Sequence, residues 1–63
     1  MKYEHIESMF NFYDEIIEIW VCLESDLDIG LCAAYAVNER YQVIKKGTFD
    51  SVSNYFYRHG YIY

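Results

Sequence analysis

Aromatic side chains are unusually frequent in this short chain: eight tyrosines, four phenylalanines and one tryptophan occur among 63 residues. Hydrophobic residues make up 54% of the chain, which is too high a fraction for a disordered protein. A domain of this size buries only about 60% of the surface of its unfolded chain, so it usually needs a disulfide, a metal or a partner for stability. The composition therefore indicates one folded domain, residues 1–63, that oligomerises or binds a partner.

Cys22 and Cys32 are the only cysteines. Residues 1–5 lack a basic segment followed by an apolar run, so no signal peptide is predicted and the expected compartment is the cytoplasm, where a disulfide does not persist. Together with His5 and His59 the cysteines could form a zinc ligand set. However, zinc sites usually pair cysteines two to four residues apart, and these are ten apart. We expect no bound metal and no cofactor.

Sequence motifs of catalysis are missing. The chain contains no G-x-S-x-G, no phosphate-binding glycine loop and no H-E-x-x-H. Three glycines and 63 residues also leave little room for a water-excluding catalytic pocket. The missing motifs and the lack of room for a pocket predict a protein that is not an enzyme.

No run of about 18 apolar residues is present, so no membrane span is predicted.

Charge is distributed unevenly along the chain, although the net charge is only five negative. Residues 1–28 carry eight carboxylates against one lysine, whereas residues 29–63 carry four cations against two carboxylates. The acidic half should attract a basic protein surface and repel nucleic acid. Direct nucleic-acid binding is not expected, and only Arg40, Lys45, Lys46 and Arg58 would support it. The predicted partner-binding residues are Glu4, Glu7, Asp14, Glu15 and Glu18.

The spacing of residues 2–13 predicts an N-terminal helix. Acidic and polar residues recur three or four apart from Glu4 to Glu18, and Tyr3, Ile6 and Phe10 lie on a neighbouring helical face. Residues 15–24 can be read either as a continuation of that helix or as a strand. We prefer the strand, because the segment is rich in β-branched and aromatic residues.

Two further strands and a second helix follow. Residues 31–37 and 41–46 are predicted strands, with turns at residues 25–30 and 38–40. Thr48 is a suitable N-cap for a helix that ends at His59 and Gly60, with Phe49, Val52 and Phe56 on its buried side. The predicted fold is α+β: N-terminal helix, three-stranded antiparallel meander and C-terminal helix. The alternative is a long N-terminal helix with a two-stranded hairpin and a C-terminal helix.

Strand pairing can be predicted from the turn positions. Centring the first turn on Leu27 places Ile19 opposite Tyr35 and Cys22 opposite Cys32. The sheet face predicted to receive the helices consists of Ile17, Ile19, Val21, Leu23, Leu31, Ala33, Tyr35, Val37, Tyr41 and Val43. Trp20, Ala34 and Ile44 then form a row on the other face, which two short helices cannot also cover. This apolar row predicts a homodimer.

Small size, acidic charge and high tyrosine content together resemble the inhibitor proteins that phages and mobile elements use against host defences, of the anti-CRISPR and anti-restriction type. The resemblance rests on no motif, so it identifies no functional residues. It implies a non-enzymatic inhibitor or regulator in the host cytoplasm that binds a nuclease or another nucleic-acid-handling protein. The alternative is a small structural or regulatory protein that only self-associates. Tyrosine and tryptophan suit either function, because they dominate interface hot spots.

Overall fold

The computed structural model describes residues 2–23 and 26–63 and contains a four-stranded antiparallel sheet with one helix packed on it. The strands are β1 (Tyr3–Phe10), β2 (Ile16–Cys22), β3 (Ala33–Val37) and β4 (Val43–Thr48), and the helix is α1 (Phe49–Arg58). A short 3-10 helix, Ile29–Leu31, lies between β2 and β3. Neighbours in the chain are also neighbours in the sheet, so the order is β1-β2-β3-β4.

The predicted N-terminal helix is wrong, because Tyr3–Phe10 form β1. The predicted three-stranded meander is wrong for the same reason, since β1 makes the sheet four-stranded. The same finding excludes the alternative of a long N-terminal helix with a two-stranded hairpin. The cause of the error is a β-bulge between His5 and Glu7, where Ile6 is an extra residue with no partner on β2. The bulge interrupts the alternation of the strand, and the remaining apolar residues then fall at helical spacing.

The strand predicted within residues 15–24 is confirmed as β2, Ile16–Cys22, whereas Glu24 lies outside the described residues. Its predicted pairing with β3 is wrong by one residue: Trp20 lies opposite Tyr35 and Ile19 lies opposite Ala36. A slip of one residue exchanges the two faces of a strand. Ala34 and Ala36 therefore lie beneath the helix, and Tyr35 faces the other way.

The predicted pairing of the two cysteines is also wrong. Cys32 precedes β3 and packs in the core, where its backbone carbonyl accepts a hydrogen bond from Phe49 N at 2.9 Å. Cys22 is buried on the opposite face of the sheet, across from Tyr3. The two thiols are thus separated by the sheet.

The predicted C-terminal helix is confirmed. Thr48 is its N-cap: Thr48 Oγ1 accepts from Ser51 N at 3.2 Å, and Thr48 N donates to Ser51 Oγ at 3.1 Å. This reciprocal capping box satisfies backbone donors that a helix start would otherwise leave unpaired. The helix ends at Arg58 with His59 as its C-cap, and Phe49, Val52 and Phe56 are buried as predicted.

The core lies between α1 and one face of the sheet. Alanines of β3 allow the helix to approach closely, while the large side chains come from β1, β2 and α1. We call this the helix side of the sheet and the other the open face. The core residues are Met9, Ile17, Ile19, Val21, Cys32, Ala34, Ala36, Phe49, Val52 and Phe56.

Candidate interaction surface

The turn between β1 and β2 is organised by the side chain of Asn11. Asn11 Oδ1 accepts hydrogen bonds from the backbone N–H groups of Tyr13 and Glu15, each at 2.9 Å. Asn11 Nδ2 donates to Glu15 Oε1 at 2.8 Å. The backbone closes with bonds from Asn11 N to Glu15 O and from Asp14 N to Asn11 O, each at 3.1 Å. One side chain thus holds the whole five-residue turn.

The turn between β3 and β4 has the same set of hydrogen bonds, with Asn38 in the place of Asn11. Asn38 Oδ1 accepts from Arg40 N at 2.9 Å and from Gln42 N at 3.0 Å, and Asn38 Nδ2 donates to Gln42 Oε1 at 3.0 Å. The backbone bonds run from Asn38 N to Gln42 O at 3.1 Å and from Tyr41 N to Asn38 O at 3.0 Å. The fourth residue is left-handed in both turns, with φ 60° at Asp14 and 61° at Tyr41.

Both turns lie at the same end of the sheet, because two strands separate them and antiparallel strands alternate in direction. Ile16 N donates to Glu39 Oε1 at 3.2 Å, which links the two turns directly. We call residues 11–15 and 38–42 together the tip. The repeat was missed in the sequence, although its signal is visible there: asparagine, three residues, then Glu or Gln before two β-branched residues.

The tip displays large aromatic side chains to solvent. Phe12 is 94% exposed, and Tyr13 and Tyr41 are each 79% exposed. The rings of Phe12 and Tyr13 contact each other edge to face, with centroids 6.1 Å apart. Exposed aromatic side chains on turns that are held rigidly by hydrogen bonds lose little conformational entropy when they bind a partner.

Tyr41 is also in an unfavourable backbone conformation. Left-handed φ values are uncommon outside glycine, asparagine and aspartate, and for a bulky residue they cost about 1–2 kcal/mol. The equivalent position of the other turn is occupied by Asp14, and aspartate tolerates the left-handed conformation. A glycine or asparagine at position 41 would give the same turn with less strain, so the turn itself does not require tyrosine. Strain of this kind concentrates at functional positions.

The tip is acidic as well as aromatic. Asp14, Glu15 and Glu39 are all exposed there, with Arg40 as the one cation of these two turns. Of the five predicted partner-binding residues, the structure places Asp14 and Glu15 in the tip. It does not bring the others into one stripe with them.

The remaining three acidic residues lie along the strands. Glu18 is on the open face, where its Oε1 accepts a hydrogen bond from Trp20 Nε1 at 3.3 Å. Glu4 and Glu7 pair with Val21 and Ile19, which places both on the helix side of the sheet. Successive side chains of a strand point to opposite faces, so these acidic residues do not share one face of the sheet, whereas on a helix their spacing would have placed them on one face.

The open face carries rings of its own. Tyr3 and Tyr35 pack with centroids 4.9 Å apart, and His5 and Trp20 with centroids 5.5 Å apart. Tyr3, Trp20 and Tyr35 are half-buried. Within residues 2–23 and 26–63, no helix covers this face.

The structure does not bring the three predicted self-association residues together. Trp20 is on the open face as expected. Ala34 is only 4% exposed and lies in the core beneath α1. Ile44 lines a surface cavity with Ile17 and Tyr61, on the helix side of β4.

The last residues of the chain support the tip from one side. Ile62 forms a two-bond antiparallel bridge with Phe10, at 2.8 and 2.9 Å. Burial and the nearby Glu15 carboxylate raise the pKa of Tyr61 above its ordinary value. Burial, together with the Glu7 carboxylate, likewise raises the pKa of Tyr63, against the opposing effect of a hydrogen bond with Ser53.

The part of the chain that the structure describes has neither a metal-binding cluster nor a membrane-spanning helix. No group of three or more His, Cys, Asp or Glu side chains there is arranged to hold a metal ion. No helix among the same residues is long and apolar enough to cross a membrane.

Comparisons with protein-family models, with curated proteins and with solved structures gave no match for this chain. Over residues 2–23 and 26–63, the fold and the tip define a small α+β protein with four antiparallel strands and one α-helix, which presents aromatic turns at one end of its sheet.

Proposed function

We propose that this protein is a non-enzymatic protein-binding module that contacts its partner through the tip. The observation that carries the proposal is Tyr41, a strained aromatic residue that is 79% exposed at a position where glycine would be more stable. Its side chain contributes little to folding, because most of it lies in water. A role in binding explains why a tyrosine occupies this position.

Energetically, the tip has the composition of a binding hot spot. Phe12, Tyr13 and Tyr41 offer large apolar areas whose burial against a partner is favourable, and their turns are already ordered in the free protein. Asp14, Glu15 and Glu39 surround them and would steer a positively charged partner into contact.

The partner that this surface suits has a basic face with apolar pockets. Nucleic-acid-handling proteins carry basic surfaces of this kind, because they bind a polyanion. The protein would act as an inhibitor or regulator of such a partner by occupying that surface. Charge complementarity supports this part of the proposal.

A comparison of matched variants tests the proposal. Wild-type protein and the variant Phe12→Ser/Tyr13→Ser/Tyr41→Gly are immobilised and incubated with a lysate of the source cell. We expect at least one basic protein that the wild type retains and the variant loses. With that partner purified, the variant should bind about 100-fold more weakly, and association should slow as salt is raised.

Tyr57→Ser is the control, because Tyr57 is an exposed tyrosine on α1 that lies outside the tip. It should bind as the wild type does. Equal binding by the wild type and the tip variant would contradict the proposal, provided that circular dichroism shows both to be folded.

Self-association through the open face is a second candidate function, favoured by the rings of Tyr3, His5, Trp20 and Tyr35 on a sheet face that no helix of the described residues covers. Twofold symmetry would allow two such faces to bury each other. This candidate uses a different surface from the tip, so separate substitutions test the two.

A further inference from the structure

A second charged feature lies away from the tip, between the edge strand β4 and α1. Here the two elements border a shallow groove of about 540 Å³. The groove shares no residue with the tip. Its lining residues are Lys45, Lys46, Ser51, Asn54, Tyr55, Arg58 and His59.

Three of the five lysines and arginines of the chain border this one groove, and no carboxylate does. Lys45 and Arg58 lie on its helix side, whereas Lys46 borders it from β4 with its side chain on the open face, opposite Tyr35. The protein as a whole carries five net negative charges, so the chain without Lys45, Lys46 and Arg58 carries eight net negative charges. Nevertheless, within residues 2–23 and 26–63, no carboxylate forms a salt bridge with Lys45, Lys46 or Arg58. The groove is thus a concentrated positive charge that the fold leaves unneutralised in an acidic molecule.

Tyr55 organises the groove. Lys45 Nζ lies 4.4 Å from the centroid of the Tyr55 ring, a cation–π contact that holds the ammonium in place. The His59 ring packs edge to face on the same tyrosine, with centroids 4.3 Å apart. Arg58 is in the last turn of α1, one residue before His59. Charged donors from a strand and from a helix therefore converge on one place.

We propose that this groove is a binding site for a phosphate group. A phosphate dianion has several acceptor oxygens, which lysine, arginine and asparagine donors can share. It also carries twice the charge of a carboxylate, so the two cations Lys45 and Arg58 favour it more strongly. The proposal does not depend on the function of the tip.

Titration followed by NMR tests the site. Inorganic phosphate, a nucleoside 5′-monophosphate and acetate are each added to the isotope-labelled protein at constant ionic strength. We expect both phosphates to give saturable chemical-shift changes at Lys45, Asn54, Arg58 and His59, and acetate to give much smaller ones. Tighter binding of the nucleotide, with added shifts at Tyr55, would identify an esterified phosphate as the ligand. Equal binding would identify the free phosphate group as sufficient.

Lys45→Gln/Arg58→Gln should weaken phosphate binding about tenfold or more, because two charged donors are lost. Lys45 is half-buried, Arg58 is exposed and neither belongs to the core, so the variant should keep the wild-type fold. Lys2→Gln/Arg40→Gln is the matched control, since it also removes two cations, both exposed and outside the groove, and should leave phosphate binding unchanged. The proposal is overturned if the phosphates give no saturable shifts, if they shift other residues, or if the double variant binds as tightly as the wild type.

Discussion

At the scale of single residues, the two left-handed positions of the turns show how stability and binding can compete. Asp14 and Tyr41 make the same backbone conformation with the same hydrogen bonds. Aspartate adopts it readily, whereas tyrosine adopts it at a cost. The comparison indicates that the turn conformation itself does not require a tyrosine.

Tyr41→Gly should therefore raise the free energy of unfolding by up to about 1 kcal/mol, since relief of the left-handed strain outweighs the greater entropy of unfolded glycine. The same variant should bind the partner less tightly. Urea unfolding and a binding titration measure the two effects. Destabilisation by this substitution would show that Tyr41 serves the fold after all. Asp14→Asn, which retains the left-handed preference, is the control and should leave stability nearly unchanged.

Two tyrosines near the C-terminus predict a loss of stability at alkaline pH. The pKa values of Tyr61 and Tyr63 are raised in the folded protein, chiefly by burial. Folding therefore disfavours the deprotonated forms of both tyrosines. Their contribution to the free energy of unfolding is fully present below the unfolded pKa of about 10 and is lost as the pH rises through their pKa values in the folded protein.

Chemical unfolding measured between pH 8 and pH 11 checks this expectation. The wild type should lose stability above about pH 10, and Tyr61→Phe/Tyr63→Phe should lose less of it over the same interval. Identical pH profiles for the two proteins would show that the alkaline loss arises from other groups.

At the scale of secondary-structure elements, each hairpin is closed by one asparagine. Three side-chain hydrogen bonds converge on Asn11, and three on Asn38. Such bonds satisfy backbone groups that strands leave unpaired where they turn. They also position the aromatic side chains of the tip.

Asn11→Ala and Asn38→Ala should each lower the free energy of unfolding by about 1–2 kcal/mol, because three hydrogen bonds are lost and two backbone donors must find water. Thermal or urea unfolding measures the change. Asn54→Ala is the matched control: this exposed asparagine of α1 holds no turn, and its substitution should change stability by less than about 0.5 kcal/mol. If all three variants were equally stable, the turns would not depend on their asparagines.

At the scale of the whole molecule, the fold separates three surfaces. The tip is acidic and aromatic, the groove beside β4 is basic, and the open face carries rings that no helix of the described residues covers. A four-stranded sheet with one helix necessarily leaves a face without a helix, because α1 packs on the other. Each surface can therefore be altered without changing the others.

Trp20→Glu tests the open face. If this face self-associates, the wild type should sediment as a dimer at high micromolar concentration and the variant as a monomer, because a carboxylate would have to be buried in the interface. Tyr57→Glu, which adds the same charge on exposed α1, should remain a dimer. A wild type that is monomeric throughout would exclude self-association as the function of this face.

The candidate surfaces were predictable only in part. The sequence indicated an acidic, tyrosine-rich binding surface, and Asp14 and Glu15 do lie at the tip. It did not indicate that Phe12 and Tyr41 lie at the same end of the molecule. They are 29 positions apart in the chain, and only the pairing of the strands between them brings them together. Similarly, nothing local to Lys45 indicates that Arg58 lies across a groove from it.

What the sequence determined by itself was the set of elements with local signals. Helix α1 follows from Thr48, Ser51 and the spacing of its apolar residues, since helical hydrogen bonds and caps join residues only three or four apart. The β-branched run of β2 was likewise sufficient to identify a strand. The tertiary structure decided the rest. It decided that residues 3–10 form β1, because the bulge at Ile6 hides the alternation of this strand. It also decided the register of β3, where a shift of one residue determines whether Ala34 or Tyr35 lies on the helix side of the sheet. Strand pairing joins residues far apart in the chain, and the competing registers differ only in which side chains become buried together.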